Sequence, residues 1–319
     1  MISKFVYSPK YDFKLWPITK LHPFDSEKFS KAWRMFSSQT QFNDASRIIE
    51  PKQLVSMERL QQIHDQTYLA SLNKSKNVAQ ILEVGFASLL PNSLLQKAIL
   101  NPMRLACEGT VLATKTALSE STIVMNFGGG FHHAFANKGE GFCVFADAML
   151  SIVECRQSGL LQTSDKVLMI DLDAHRGNGF EALATSDPSI QLFDMYNFQV
   201  YPGLHPGEPD EFPFFIPLKA KMSGEQYLEI LKKELPTFLS KHSDARLVFY
   251  NAGTDIVKGD PLGQLNVAVE HVIERDRYVV KAIHDLNLPT VTMTSGGYSK
   301  ASYQLIAEMA KTLLDLTDD

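Results

Sequence analysis

Carboxylate and imidazole side chains follow one apolar segment at a spacing that suits metal binding. Residues 167–170 are apolar, and Asp171, Asp173 and His175 come after them. Alternate residues of an extended chain point to the same side, so these side chains can face one ion. Asp255 follows another apolar segment, and three nitrogen or oxygen ligands plus a water are typical of catalytic zinc. A single aspartate at a strand end more commonly caps a helix, so the zinc site is predicted from the whole set.

Two adjacent histidines and a tyrosine lie in glycine-rich segments at the ends of other apolar segments. His132 and His133 come soon after glycines 128–130. Because imidazole titrates near neutral pH, tandem histidines indicate general acid and base catalysis. Tyr298 follows glycines 296–297 and fits either a core aromatic or a hydrogen-bond donor to an oxyanion. The flanking glycines favour the donor.

Short apolar segments alternate with amphipathic helices over the last two thirds of the chain. This alternation predicts a parallel sheet that is covered by helices on both faces. Ligands bind at the carboxyl ends of the strands in such sheets, which is where the reactive side chains stand. The predicted strands are residues 122–126, 167–170, 190–193, 247–250 and 290–293, and the predicted helices are residues 144–156, 224–240, 267–286 and 300–314.

The first third of the chain reads as mainly helical. Ser26 is a candidate cap for a helix that runs to about residue 39, and residues 101–118 read as a second helix. No low-complexity linker or internal repeat divides the sequence. We therefore expect residues 1–319 to form a single domain.

Composition excludes several classes of protein. The chain is 45% hydrophobic and 21% charged with a formal charge of -5, and it has no long run of lysine and arginine. Direct binding to nucleic acid is therefore not expected. Cys107, Cys143 and Cys155 contain no close pair, which argues against a disulfide framework and a thiolate zinc cluster. No signal peptide or run of about 20 apolar residues is present, so we expect an intracellular protein, in the cytoplasm or in a eukaryotic nucleus.

Five short segments add to the motifs described so far. They are Tyr7-Ser8-Pro9-Lys10-Tyr11, Leu21-His22-Pro23-Phe24-Asp25, Gly139-Glu140-Gly141-Phe142-Cys143, Tyr201-Pro202-Gly203 and Asn251-Ala252-Gly253-Thr254-Asp255. The motifs, taken in order, resemble the arginase/deacetylase fold and, within it, the zinc-dependent histone deacetylases, with class IV the most similar. The resemblance implies an α/β protein with three α/β/α layers around a central, mostly parallel sheet. It also implies that acyl groups are hydrolysed from lysine side chains of a protein or peptide.

The resemblance assigns a role to each matching residue. Asp173, His175 and Asp255 would hold Zn²⁺. The implied catalytic residues are His132 paired with Asp171, His133 as general base and then acid, Asn178 as the partner of His133, and Tyr298 on the substrate carbonyl. The implied substrate contacts are the carbonyl of Gly141 for the amide nitrogen, Phe142 and Tyr201 as walls for the lysine stem, and Leu262 at the rim. A monovalent cation such as K⁺ would bind near Asp171, with Asp194 taking part.

Three positions differ from common deacetylase patterns or need separate interpretation. Many deacetylases have aspartate where this chain has Asn178, although asparagine agrees with class IV. Arg176 replaces a residue that is commonly uncharged or histidine. Cys143 would lie near the site, where a small buried packing residue is the favoured interpretation.

Three alternatives to a lysine deacylase remain at this point. The nearest is a small-molecule amidohydrolase of the same fold, such as an acetylpolyamine deacetylase. A manganese ureohydrolase like arginase would need more bridging carboxylates, and a silent binding protein would lack some of the active-site residues. Resemblance to class IV further predicts that long fatty acyl groups are removed better than acetyl. Glycines 128–130 and 296–297 either leave room for such a chain or serve tight backbone turns.

Overall fold

Eight parallel strands form one sheet that is flanked by helices. A computed structural model of the chain describes residues 2–13, 24–203 and 213–318. The strands in this part of the chain are β1 (Lys4–Val6), β2 (Ile48–Ile49), β3 (Ile123–Asn126), β4 (Val167–Asp171), β5 (Ile190–Asn197), β6 (Phe215–Leu218), β7 (Leu247–Asn251) and β8 (Thr290–Met293). Their order across the sheet is β2-β1-β3-β8-β7-β4-β5-β6.

Helices connect the strands and vary widely in length. The α-helices of the described residues are α1 (Lys28–Gln39), α2 (Met57–Leu60), α3 (Gln66–Ser71), α4 (Ser75–Ile81), α5 (Asn92–Leu95), α6 (Asn101–Glu120), α7 (Asp147–Gln157), α8 (Asn178–Ala184), α9 (Gly224–Lys241), α10 (Val269–Asp285) and α11 (Ser302–Asp318). Short 3-10 segments lie at Ala45–Arg47 and Gly85–Leu89, and a π-helical turn at Gln96–Leu100 leads into α6.

The sheet separates two hydrophobic cores. Successive residues of a strand point to opposite faces, so Leu168 and Ile170 of β4 enter one core while Val167 and Met169 enter the other. Buried residues of α1, α9, α10 and α11 complete the first core, and those of α6, α7 and α8 complete the second. Burial on both faces explains why the central strands read as continuous apolar segments.

Several sequence predictions need correction at the level of single elements. Ser26 does not cap α1, because the helix begins at Lys28 with Glu27 in the cap position. The helix predicted from residue 144 begins at Asp147. Strands β1, β2 and β6 were not predicted, because two of them are too short to show a period and Pro217 interrupts the third. Proline is tolerated in β6 because this strand lies at the edge of the sheet.

Two further features considered in the sequence are a membrane span and the motif at residues 21–25. Within the described residues, no helix is both long enough and apolar enough to cross a membrane. The residues Leu21, His22 and Pro23 of the second motif lie outside the described residues.

Candidate active site

The carboxyl ends of the central strands meet along one edge of the sheet. Asp171 at the end of β4 is in register with Asn251 at the end of β7 and with Asp194 in β5. The side chain of Asn251 donates from Nδ2 to Oδ1 of Asp171 at 3.0 Å. The loops that follow β4 and β7 therefore start side by side, and they carry the predicted metal ligands.

Asp173, His175 and Asp255 form a compact group on these two loops. One ligand atom from each residue lies within 4.8 Å of the others. Nδ1 of His175 is 3.0 Å from Oδ1 of Asp173 and 3.0 Å from Oδ2 of Asp255. All three side chains are buried. Two carboxylates and one imidazole are a donor set that suits Zn²⁺.

The charges within this group favour a bound cation. Burial and the charge of Asp173 raise the pKa of Asp255 to about 7. Burial alone would lower the pKa of His175, but the two carboxylates outweigh it and raise that pKa well above its usual value. The two carboxylates thus stabilise a proton on the imidazole that lies between them. A metal ion in place of that proton would balance the same negative charge.

The segment after β8 approaches this group closely. The N–H of Gly296 donates to Oδ2 of Asp173 at 2.8 Å. A Cβ at position 296 would lie 2.4 Å from Oδ2 of Asp255 and 2.5 Å from Oδ2 of Asp173, so only glycine permits this approach. Buried Lys28 donates from Nζ to the carbonyl of Ser295 at 2.9 Å. Lys28 therefore holds the segment in place, a role with no sequence signal.

His132 and His133 lie side by side but have different partners. Nδ1 of His132 is 2.8 Å from Oδ2 of Asp171, and Nδ1 of His133 is 2.7 Å from Oδ1 of Asn178. Burial would lower the pKa of His132, yet the carboxylate of Asp171 and others nearby raise it to about 9. Burial and the neighbouring imidazoles hold the pKa of His133 well below its usual value. His133 is thus the neutral imidazole of the pair near pH 7.

Asp147 fixes the loop that carries the two histidines. Its Oδ2 accepts the N–H of Gly130 at 2.9 Å and its Oδ1 accepts the N–H of Phe131 at 3.0 Å. The hydroxyl of Thr110 also donates to Oδ2 of Asp147, at 2.7 Å. Asp147 stands in the first turn of α7, where an acidic residue is ordinary, so its sequence context does not reveal this role.

Tyr298 stands between the metal group and the predicted substrate channel. Its ring centroid is 6.3 Å from that of His175 and 5.7 Å from that of Phe142. Its N–H donates to Oδ2 of Asp260 at 2.8 Å, so Asp260 orients this segment although the sequence did not single it out. Burial and the nearby carboxylates raise the pKa of Tyr298 well above its usual value. The phenol therefore stays protonated and able to donate a hydrogen bond.

A pocket with a mainly apolar wall lies beside the histidines. His132, His133 and Tyr298 form part of its wall, and much of the remainder is hydrophobic. The apolar wall includes Phe24, Phe29, Leu82, Val84, Ile99 and Met103. An apolar cavity beside a few convergent polar groups is the usual form of a small-molecule site.

Three of the predicted substrate contacts lie at this site. Gly141 and Phe142 line the pocket. Gly141 has a φ of +48°, and a Cβ there would lie 2.5 Å from Cδ2 of His133, so this position requires glycine. The ring of Tyr201 is centred 5.0 Å from that of His133, and its hydroxyl donates to Oε2 of Glu140 at 2.8 Å.

The other predicted contacts are Leu262 and the glycines expected to leave room for a long acyl chain. Leu262 is not part of the pocket wall in the described part of the chain, and its N–H donates to Oδ1 of Asp260 at 3.0 Å. The glycines expected to leave room divide into two sets. Gly129, Gly130 and Gly296 line the pocket, whereas Gly128 and Gly297 do not.

Arg176 and Cys143 have local partners that explain their presence. The guanidinium of Arg176 bonds to Glu181, with Nη2 2.6 Å from Oε1, and lies over the rings of Tyr196 and Phe215. Arg176 is thus engaged away from the metal group. Cys143 is buried in the pocket wall, and burial raises the pKa of its thiol. The thiol therefore stays protonated and packs as a small apolar residue.

Asp194 forms a second acidic position behind the metal group. Its Oδ2 accepts the N–H of Gly177 at 2.9 Å, while Oδ1 is buried with no hydrogen-bond partner among the residues that the structure describes. Burial and the charge of Asp171 raise the pKa of Asp194 well above its usual value. A cation beside these two carboxylates would offset that repulsion.

Most of the chain matches one protein family. Residues 22–314 match the family model of the histone deacetylase domain. The chain belongs to the histone deacetylase family. The matched span contains every metal and catalytic candidate described above, and the resemblance predicted from the motifs is thereby confirmed at the level of the family.

Individual relatives of this histone deacetylase family member agree with that result. Histone deacetylase 2 of Arabidopsis thaliana is 39% identical over 311 residues, which cover 97% of this chain and 78% of that protein. Histone deacetylase 8 of Xenopus laevis is 27% identical over 273 residues, which cover 79% of this chain and 78% of that protein. The crystal structure of the HDA15 HD domain matches with a TM-score of 0.72 at 16% identity, covering 98% of this chain and 90% of that chain. The predicted α/β fold of the arginase/deacetylase type is confirmed.

Proposed function

We propose that the chain is a zinc-dependent lysine deacylase of class IV, in which residues 1–319 act as one catalytic domain. It would hydrolyse the amide between an acyl group and the side-chain nitrogen of a lysine in a protein or peptide. The observation that carries this proposal is the position of the Asp173–His175–Asp255 group beside two reactive side chains. The ring of His175 is centred 6.0 Å from that of His133 and 6.3 Å from that of Tyr298. Membership of the histone deacetylase family supports the same reaction.

The metal group would hold one zinc ion through Asp173, His175 and Asp255. When bound, Zn²⁺ supplies a Lewis acid for the amide carbonyl and lowers the pKa of a bound water toward about 7. His132, paired with Asp171 at 2.8 Å, adds a buried positive charge beside the reacting atoms. This charge stabilises the negative oxygen that develops as the carbonyl is attacked.

The remaining groups move the proton and bind the amide. His133 takes a proton from the attacking water and later gives it to the departing lysine amine. Asn178 holds Nδ1 of His133, which leaves Nε2 for that transfer. Tyr298 donates a hydrogen bond to the oxyanion, and the carbonyl of Gly141 accepts one from the amide nitrogen. The products are a lysine side chain with a free amine and the carboxylate of the acyl group.

The channel and the second cation complete the proposal. Phe142 and Tyr201 would wall the lysine stem, and Leu262 would lie at the outer rim, away from the pocket wall. A monovalent cation such as K⁺ would bind near Asp171 and the buried Oδ1 of Asp194, which has no hydrogen-bond partner within residues 2–13, 24–203 and 213–318. The acidic pair supports this assignment because a cation there lowers the cost of burying both charges.

The apolar pocket supports a preference for long acyl chains. Each buried methylene contributes about 0.8 kcal/mol, so a chain of many carbons gains several kcal/mol over acetyl before the cost of ordering it. That gain raises kcat/KM only where the contacts persist in the transition state. Ile99 and Met103 of the pocket wall are almost fully buried and would contact such a chain.

Peptides of one sequence that carry acetyl-, octanoyl- or myristoyl-lysine test the proposed substrate class. We expect kcat/KM to rise with chain length. Ile99→Phe, which narrows the apolar pocket, should lower the rate for myristoyl while the rate for acetyl serves as the control. A kcat/KM highest for acetyl would reject the long-chain preference alone. Faster turnover of acetylated polyamines than of every peptide would favour the alternative, a small-molecule amidohydrolase such as an acetylpolyamine deacetylase.

Asn178→Asp should move the pH dependence of catalysis. Oδ1 of Asn178 lies 2.7 Å from Nδ1 of His133, and a carboxylate there would stabilise the imidazolium more than an amide does. The pKa of His133 should rise, so the base stays protonated to higher pH and the acidic limb of the kcat/KM profile shifts upward. Rates measured from pH 5 to 9 provide the test. An acidic limb at the same pH in both proteins would mean that the two side chains do not interact in the active enzyme.

A further inference from the structure

Arg275 is a fully buried arginine in α10, on the face of the sheet opposite α7. A buried guanidinium is costly unless its donors are bonded and its charge is balanced. Asp276, the next residue, balances the charge. Nε of Arg275 donates to Oδ1 of Asp276 at 2.9 Å, and the hydroxyl of Tyr250 donates to the same oxygen at 2.5 Å. Arg275 and Tyr250 therefore both hold the carboxylate of Asp276 in place.

The other branch of this guanidinium reaches both loops of the metal group. Nη1 of Arg275 donates to the carbonyl of Leu172 at 3.0 Å and to the carbonyl of Gly253 at 2.7 Å. Leu172 directly precedes Asp173, and Gly253 stands two residues before Asp255. One nitrogen atom thus joins the loop after β4 to the loop after β7. These loops supply the two carboxylates that must face the same ion.

We propose that Arg275 is a positioning residue that sets the separation of Asp173 and Asp255 and thereby the affinity of the site for its metal. This inference rests on the zinc site of the proposed function. A guanidinium suits the task because its planar fork holds the two carbonyls on one side and Asp276 on another. The amine of lysine keeps the charge but offers a single nitrogen, so it cannot hold all three acceptors in this arrangement.

The zinc dissociation constant of the full chain tests the inference. The metal-free protein and its Arg275→Met and Arg275→Lys variants are titrated with Zn²⁺ in competition with a chromophoric chelator, at a temperature where all remain folded. Loss of an outer-shell partner typically weakens metal binding 10- to 100-fold, and we expect Arg275→Met to fall in this range. Arg275→Lys should bind zinc at least several-fold more weakly than the original protein. It carries the test alone if Arg275→Met does not fold.

Arg47→Met is the matched control. Arg47 is also a buried arginine, but it donates from Nε to the carbonyl of Ser3 at 2.8 Å and from Nη2 to Oγ of Ser3 at 2.6 Å, away from the metal loops. The Arg47→Met substitution should lower the unfolding temperature and leave zinc affinity unchanged. Unchanged zinc affinity in the Arg275 variants, or equal weakening in Arg47→Met, would overturn the positioning role. Failure of the original protein to bind zinc would instead overturn the proposed function.

Discussion

Replacing Tyr298 by phenylalanine should lower kcat for deacylation about 100-fold or more while the fold survives. The phenol is protonated near neutral pH because burial and the nearby carboxylates raise its pKa, so it can donate a hydrogen bond to the proposed oxyanion. Removing the hydroxyl leaves the ring against Phe142 and His175, whose centroids lie 5.7 and 6.3 Å away. Packing should therefore change little, and the loss should appear in kcat more than in KM.

Tyr201→Phe is the matched control for this experiment. Tyr201 is also close to the site, but its hydroxyl donates to Glu140 at the rim. Its removal should change kcat by less than about 10-fold, since the proposed oxyanion donor is intact. Equal rates for Tyr298→Phe and the original enzyme would show that Tyr298 is a packing residue.

Replacing His133 by alanine should lower kcat by about 100- to 10,000-fold, the range expected for loss of a general base. The low pKa of His133 keeps its imidazole neutral, whereas His132 has its pKa raised to about 9 and is largely protonated at pH 7. Only the neutral ring can accept a proton from water. The experiment therefore distinguishes two histidines that are adjacent in the sequence.

His132→Ala provides the comparison, together with the zinc content of each variant. Loss of His132 removes a buried positive charge that Asp171 stabilises, and we expect a smaller decrease in kcat than for His133→Ala. Both variants should retain one zinc per chain, because neither residue belongs to the metal group. A larger decrease for His132→Ala would reverse the two assignments.

The central strands could be predicted because each is a continuous apolar segment buried on both faces. Residues 247–250 and 290–293 correspond closely to Leu247–Asn251 and Thr290–Met293. Strands β1 and β2 contain only three and two residues, and their conformation depends on pairing with neighbours distant in the sequence. No local pattern can reveal such strands.

The metal group could be predicted for a similar reason, since parallel strands bring their carboxyl ends to one edge. The residues that support the metal group could not be predicted from the sequence. Asp147, Asp260 and Arg275 act through bonds to backbone groups of segments far from them in the sequence. Those bonds depend on the register of the sheet and on the positions of helices, which residue spacing does not determine. Leu262, which the resemblance places at the rim, is not among the pocket-lining residues in the described part of the chain.

The metal dependence of turnover of an acyl-lysine peptide is the decisive measurement for the proposed zinc site. The protein is stripped with a chelator, its residual zinc is measured, and deacylation is followed as Zn²⁺ is added back to the same preparation. If Asp173, His175 and Asp255 hold the zinc ion, we expect no turnover in the metal-free protein and full recovery at one zinc per chain. Full turnover by the metal-free protein would show that the reaction needs no zinc ion at this site.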